Sequence, residues 1–501
     1  MTRLPTALPE NSGRTETPAA RPRATLLIAA AGTFLALAVY CAPLGNLPTI
    51  AAALSAGPIA RTWILSSMSI GLAAVLLTVG ALADDHGRRR VFVIGIGALV
   101  AGSLACAVAG GPALFIAGRV LQGIGAAGVI AAGLGLIAQA FVVPAQRAAA
   151  TGVWGAAVGA GITVGPLLAG LLDLGGLWRW FYWALLPIGA VLILVTRARV
   201  AESKAEAPRP IDLPGAITLS AAMVALLLAM VAGRQRDAGV VLVTGIAAAV
   251  LIAGFISIEL RRRAPMLDLA LFRRPRFTAA TIAALATGIG VIGLMSFACT
   301  FLVTTLRMST LQAAGLLAIW SGLSVVAALL ARRLPAALTG SRQLAIGLAG
   351  VGVGLLTMIG LAPGASPWDL LPGLVIAGVA SGVLNAGLGR EAVASVPADR
   401  AGLGSGANNT ARYLGSSIGV TVVGIIATDP RGTAAGMIAG WDHAAAVAGL
   451  VSLAGAAAVV LLTRRPGGRH HRAEGNPADA NPAGRDRSER PVDRPGALLP
   501  E

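Results

Sequence analysis

The chain has 501 residues, 56% of them hydrophobic and only 12% charged, with 65 glycines and a formal net charge of +17. So few polar side chains cannot cover a water-soluble surface, which excludes a soluble enzyme or binding domain and makes lipid the solvent for most of the chain. The three cysteines, Cys41, Cys106 and Cys299, lie inside apolar runs without metal-ligand spacing and read as small core residues.

Residues 1-23 form a polar, arginine-bearing leader, predicted to be disordered and to stay attached, because the apolar run behind it exceeds the length of a signal-peptide core. Stretches long enough to cross a bilayer as helices follow at 24-44, 62-82, 91-109, 112-138, 149-172 and 180-196. After a polar break a second set occupies 213-232, 239-259, 279-303, 311-331, 343-361, 370-389, 403-427 and 443-463. The predicted fold class is all-α integral membrane, with fourteen transmembrane helices. Residues 464-501 are again rich in Pro, Gly, Arg and Asp and are predicted to be a disordered tail.

Orientation tests that count, because cytoplasmic loops are enriched in Lys and Arg. With the N-terminus inside, about 31 of the 39 basic residues fall on the cytoplasmic side, in clusters such as Arg88 to Arg90, Arg261 to Arg263, Arg273, Arg274, Arg276, Arg332, Arg333, Arg464 and Arg465. Arg61, Arg179, Arg234, Arg236, Arg307 and Arg431 fall outside, and Arg119 and Arg412 fall within helices. Both termini are thereby placed in the cytoplasm, with the chain multi-pass in the plasma (inner) membrane. The positive charge reports topology. Scattered over short loops, it opposes a nucleic-acid partner.

The stretch between the second and third spans reads Gly80-Ala81-Leu82-Ala83-Asp84-Asp85-His86-Gly87-Arg88-Arg89-Arg90. It is expected to form a short turn bounded by Gly80 and Gly87, with Asp84 able to cap a neighbouring helix and the arginines holding the loop inside. Its plainest reading is a topology anchor. In the fourth span Arg119 and Gln122 share a helix face. An arginine buried among apolar residues is costly, so it is functional or a structural hydrogen-bond hub. In the fifth, Gly152, Gly161, Gly165, Pro166, Ala169 and Gly170 form a small-residue face for close packing, bent by Pro166. Trp178, Arg179, Trp180 and Trp183 lead into the sixth span as interfacial aromatics around one basic residue.

The Gly80 to Arg90 stretch resembles the signature loop of the major facilitator superfamily, the Arg119 run resembles that family's fourth-helix motif, and the Gly152 to Gly170 spacing resembles its antiporter signature, with Ala169 replacing a usual glycine. Trp178-Arg179-Trp180, Leu47-Pro48-Thr49-Ile50 and Arg412-Tyr413-Leu414-Gly415 are similar to segments of the fourteen-helix drug:proton antiporter branch, although Leu185 stands where Asn is usual. The resemblance covers residues 25-465. It implies two six-helix bundles, 24-196 and 279-463, joined by a linker, 197-278, that carries two additional transmembrane helices. It further implies secondary active efflux of a small amphipathic drug or secondary metabolite, by proton antiport with alternating access, in a monomer needing no cofactor or metal. Gly80, Asp84, Gly87, Arg88 and Arg89 inherit the gating loop by position, and Arg119 an influence on proton transfer.

Two departures matter. The branch commonly carries an Asp in its first helix where this chain has Val39, and no acidic residue falls near the middle of a predicted helix; Asp173 and Glu391 sit at ends. Arg119, Gln122, Arg412 and Glu391 are therefore the proton-coupling candidates, with Asp84. In the second-half copy of the signature loop, near Ala337, Gly340 and Arg342, an alanine takes the place of Asp84. A central cavity lined by Met68, Trp154, Met295, Phe297 and Trp320, with Asn385, Asn408 and Asn409 for hydrogen bonds, would suit an amphipathic aromatic compound, though the same residue types also serve plain packing. Scarcity of central acids argues against a dedicated dication exporter. Two alternatives stay open: a narrow-specificity or non-proton-coupled carrier such as an importer, which the antiporter pattern opposes, and a transport-inactive receptor or scaffold, which the missing acid favours. No nucleophile and base cluster, phosphate-binding loop or metal-ligand spacing points to an enzyme or an ATP-driven pump.

Overall fold

The computed structural model describes residues 22–464 except 206–209, 211, 235–236, 263–264, 266, 339, 363 and 428–432. Of the tails predicted to be disordered over 1–23 and 464–501, residues 22–23 instead open the first helix, Arg464 is described, and 1–21 and 465–501 lie outside the described residues with Arg236, Arg263 and Arg431, as do the side chains of Arg234 and Arg332. Every regular element among the described residues is helical. The first predicted span is broken into α1 (Pro22–Cys41) and α2 (Pro43–Ala53), because Pro43 supplies no backbone N–H and Asn46 leaves helical geometry at φ −146°. Then come α3 (Pro58–His86), α4 (Arg88–Val108), α5 (Pro112–Ala140), α6 (Pro144–Leu174) and α7 (Trp180–Arg199). Next are α8 (Leu213–Arg234), α9 (Ala238–Arg261), α10 (Pro275–Thr287), a π-helical stretch (Gly288–Ile292) and α11 (Gly293–Thr304), the last three forming one continuous rod. The chain closes with α12 (Thr310–Leu330), α13 (Ser341–Leu356), α14 (Leu371–Ala394), α15 (Ala401–Ile426) and α16 (Ala434–Thr463).

Among the described residues twelve helices are long and apolar enough to cross a membrane, which makes this a multi-pass membrane protein. Two of the predicted spans fall outside those twelve. The helix expected over 343-361 is α13, only 16 residues long, and the chain leaves it before Gly360, which has the left-handed φ of +87°. The helix over 403-427 is α15, 26 residues long and continuous, but made less apolar by Asn408, Asn409, Thr410 and Arg412. It tolerates them because it packs against α3, α5, α8, α10, α14 and α16, so its polar groups face protein rather than lipid.

Two large apolar cores organise the packing. One is built from α1 to α7 around Leu35, Met68, Leu72, Phe92, Phe115 and Ile130; the other from α10 to α16 around Leu294, Phe301, Leu348, Leu384 and Trp441. Smaller clusters stitch them: Leu77, Met223, Phe277 and Leu403 join α3, α8, α10 and α15, while Ala156, Ala328 and Ala386 join α6, α12 and α14. On α9, Leu242, Val243 and Val250 are each more than 60% exposed, the surface of a helix whose outer side is meant for hydrocarbon.

The signature stretch is not the turn expected between Gly80 and Gly87. Helix α3 runs through to His86, and only Gly87, at φ +119°, reverses the chain into α4. Asp84 and Asp85 are therefore held on a helix. The last span likewise starts earlier than expected, at Ala434, which brings Asp442 into α16.

Candidate functional site

At the end of the bundle where α3 stops, a latch joins the first-half helices to the second. Asp84 is fully buried, and its Oδ1 accepts from Arg88 Nε at 2.9 Å and from the Gly402 N–H at 2.9 Å, while Oδ2 accepts from the Leu403 N–H at 2.7 Å. The carboxylate thus sits on the N-terminus of α15, where unpaired N–H groups and the helix dipole favour an anion. Arg88, also buried, donates to Gln139 Oε1 at 3.2 Å and to the Asp399 carbonyl at 2.9 Å. Arg400 donates to Asp85 at 2.6 Å, a second ion pair across the same seam. Gly80 lets α3 and α15 meet: a Cβ there would lie 2.4 Å from the Gly402 carbonyl oxygen. Beside the latch, Glu202 accepts from the N–H groups of Arg89 and Arg90 and so caps α4, while the Arg89 side chain reaches the Val200 carbonyl. Glu391 on α14 is buried and takes a forked ion pair from Arg276 at the start of α10.

Arg119 is fully buried on α5. Its Nη1 donates to the Val39 carbonyl at 2.7 Å and to Gln122 Oε1 at 3.1 Å, and Nη2 donates to the Tyr40 carbonyl at 2.9 Å. Gln122 passes the chain on to Ser103 Oγ. The reason lies four residues past Val39: Pro43 has no N–H to return to the Val39 carbonyl, so the proline break in the first span frees an acceptor and the guanidinium takes it. Where the resembling branch offers a carboxylate, this chain offers backbone dipoles.

The small-residue face of α6 sets the distance to α1. A Cβ on Gly165 would lie 2.3 Å from the Ala38 carbonyl oxygen and one on Gly161 2.6 Å from that of Phe34, while Gly170 faces Gly45 and Gly152 faces Ala328 of α12 at looser separations. Pro166 lies in the same contact, its carbonyl against Gly45. Trp154, buried on α6, donates to Thr33 Oγ1 and adds a polar tie to the seam.

Between the two helix sets lies a cavity of about 160 Å³, large enough for far more than a single water. Its walls come from α1, the start of α2 at Leu44, α6, the α10–α11 rod, α12, α14 and α15. The lining is mostly apolar, with Tyr40, Thr163, Ser321, Asn385 and Arg412 among its polar members, and no Asp or Glu among the described lining residues. On α1, α6, the α10–α11 rod and α12 the lining residues run from mid-helix toward the end away from the latch, while Ser381 and Asn385 on α14 and Arg412 and Tyr413 on α15 line it at mid-helix. The π-helical stretch supplies Val291 and Ile292, and Gly288 at its start lies against the Arg412 carbonyl. A second cavity of about 120 Å³ sits behind Tyr40, shared with α3 and α8 and edged by Ser66, Ser69, Ser296, Ser416 and Thr421. Tyr40, hydrogen-bonded to Ser69 at 2.8 Å and edge-on to Tyr413, belongs to both walls.

Of the residues expected to line a central cavity, Met295, Trp320 and Asn385 do. Met68 and Trp154 are buried in the first core, Phe297 packs on the second, and Asn408 and Asn409 donate to the Ala280 and Ser405 carbonyls within the helix packing. Of the two intramembrane arginines, Arg412 reaches the cavity and Arg119 sits behind its wall. Sequence reasoning missed Tyr40, Arg400 and Glu202, and named Tyr413 only as part of the Arg412 run, without a place in the cavity. An acid placed opposite an arginine run was the available signal for Glu202; the Asp85 to Arg400 pairing spans 315 positions and has no local signal. The interfacial aromatics divide: Trp178 is buried under Arg179, which stacks on it and donates to the Ala107 and Ala109 carbonyls, whereas Trp180 is exposed.

Residues 27–420 match the family model described as the Major Facilitator Superfamily. Over 377 residues the chain is 34% identical to the probable actinorhodin transporter of Streptomyces coelicolor, a match covering 73% of this chain and 65% of that protein, just under two thirds of its length. Over 384 residues it is 33% identical to the multidrug resistance protein Stp of Mycobacterium tuberculosis, covering 76% and 71% respectively. The fold is similar to that of the proton:xylose symporter XylE, with a TM-score of 0.64 at 13% identity over 87% of this chain and 94% of the symporter. By this match over most of its helices, the chain belongs to the major facilitator superfamily.

Proposed function

We propose that the protein is a secondary active efflux carrier that exports a small amphipathic drug or secondary metabolite across the plasma membrane, both termini lying in the cytoplasm. The observation that carries this reading is the cavity between the two helix sets, running from mid-helix toward one end while buried ion pairs and a capped helix hold the other end shut. A carrier that exposes one site to each side in turn needs such a geometry. The names of the two relatives, one a probable transporter of actinorhodin and one a multidrug resistance protein, support a drug-like cargo. In this reading α1 to α7 and α10 to α16 act as two six-span bundles with α8 and α9 inserted between them, fourteen spans in all, and the chain works as a monomer.

The latch end faces the cytoplasm, where the positive-inside bias puts Arg88 to Arg90, and the described conformation is outward-facing. Proton coupling runs through the buried acids Asp84, in the latch, and Glu391, paired with Arg276, because no carboxylate is among the described residues of the cavity wall. Protonating Asp84 removes the charge that holds Arg88 and the α15 N-terminus together and so favours opening on the cytoplasmic side. The test is export of a panel of fluorescent and antibiotic compounds from cells expressing the chain, with and without a protonophore, beside an Arg119→Ala control. Export that stops with the protonophore supports the reading; a broad panel on which nothing moves defeats it.

A further inference from the structure

We infer that Arg412 is the charge-recognition group of the central cavity and that the exported compound presents an anionic oxygen, a carboxylate, enolate or phenolate, on an amphipathic aromatic body. The inference rests on the efflux reading and narrows it to one charge class. Arg412 is 5% exposed, lines the cavity, and forms no ion pair among the described residues; its Nε is buried without a hydrogen-bond partner, and its guanidinium lies 5.2 Å from the Tyr413 ring centroid. A buried cation without a carboxylate is costly, and a ring face offsets only part of that cost. Arg119 shares the unpartnered Nε and the lack of an ion pair among the described residues, but its two Nη groups are filled by two carbonyls and Gln122, and it does not line the cavity.

The other polar groups of the lining are uncharged, and Tyr40, Ser321 and Asn385 among them can both donate and accept. Trp320 Nε1 and Ser381 Oγ, both buried and without partners, belong to residues of the same lining and can donate, as can the guanidinium itself. With no acid among the described lining residues, the wall offers a net positive corner at Arg412 inside an apolar chamber. An anion would gain charge-assisted hydrogen bonds there while its rings lie against Met295, Val291 and Ile162. A cation would be repelled by Arg412 and would find no carboxylate among the described lining residues to offset that repulsion.

The test uses three probes with one ring system: the carboxylate, methanol and methylamine derivatives of anthracene substituted at the same carbon. Their dissociation constants are measured by equilibrium dialysis on the purified full chain in phosphatidylcholine nanodiscs, with protein-free nanodiscs subtracted, for wild type, Arg412→Gln and Arg412→Lys. Wild type should bind the carboxylate at least about tenfold more tightly than the alcohol, the increment of one charge-assisted hydrogen bond, and the amine least of all. Arg412→Gln should erase the preference while still binding the alcohol, which shows that it is folded, and Arg412→Lys should keep part of it. No preference in wild type, a preference unchanged in Arg412→Gln, or failure of all three probes to bind would each overturn the assignment and leave export itself to be judged by the cell assay. Loss of carboxylate binding when phosphatidylglycerol is added would assign the corner to a lipid head group, which also overturns it.

Discussion

Replacing Asp84 with alanine removes the acceptor at the centre of the latch. The side chain receives hydrogen bonds from Arg88 and from the N–H groups of Gly402 and Leu403, all buried, so the variant strands one guanidinium and two helix N-terminal donors together. Breaking a buried ion pair costs about 3–5 kcal/mol. Taking the lower end, because water can reach the stranded groups once the seam parts, the balance between latched and open forms shifts by about two powers of ten. Asp84→Asn keeps one acceptor oxygen and should fall between. The readout is labelling of Ser405→Cys by a membrane-impermeant maleimide, in a background where Cys41, Cys106 and Cys299 are serine; Ser405 is fully buried in the seam and bonds across it to the Ile130 carbonyl. Labelling should accelerate about a hundredfold in Asp84→Ala. Equal rates in a variant that elutes as folded protein would refute the latch.

Other outcomes follow from the same geometry. Arg119→Lys keeps the charge but loses the fork that serves two carbonyls at once, so the thermal midpoint should fall by the equivalent of about 1–3 kcal/mol and export should drop; an unchanged melting curve would mean that the carbonyls find other donors. Gly165→Ala places a methyl 2.3 Å from the Ala38 oxygen and should abolish export, whereas Gly152→Ala, at 3.1 Å from Ala328, should be mild; equal export by the two at matched expression would contradict the close-packing account. Asp85→Ala and Arg400→Ala should be coupled by about 0.5–3 kcal/mol in a double-mutant cycle on thermal stability, and strict additivity would show that the pair contributes nothing.

Much of this molecule is legible in its sequence because a bilayer imposes length and polarity on every span. The long apolar runs map onto helices with shifted ends, and the Gly161 and Gly165 spacing reports a contact that only a missing Cβ permits. What composition conceals is context. The stretch at Gly80 reads as a turn because Asp84, Asp85 and His86 are poor continuations of an apolar helix, yet tertiary partners on α15 and the linker hold the helix to its last residue. Helix α15 is polar enough to miss the hydropathy of a spanning helix and survives because protein surrounds it. Met68, Trp154 and Asn409 carry the right chemistry for a cavity, but which side of a helix faces a void depends on crossing angles that no local pattern encodes. Arg119 shows both limits: its burial is plain from the sequence, whereas its partner is a carbonyl freed by a proline on another helix.

The most direct test of the account is transport by the purified chain in proteoliposomes carrying an imposed pH gradient, acidic inside, with a non-basic fluorescent compound that expressing cells export. The account predicts accumulation in the lumen above the level of protein-free liposomes, collapsing when a protonophore dissipates the gradient and weakened in Asp84→Asn. Uptake indifferent to the gradient, or no greater than in empty liposomes, would contradict it.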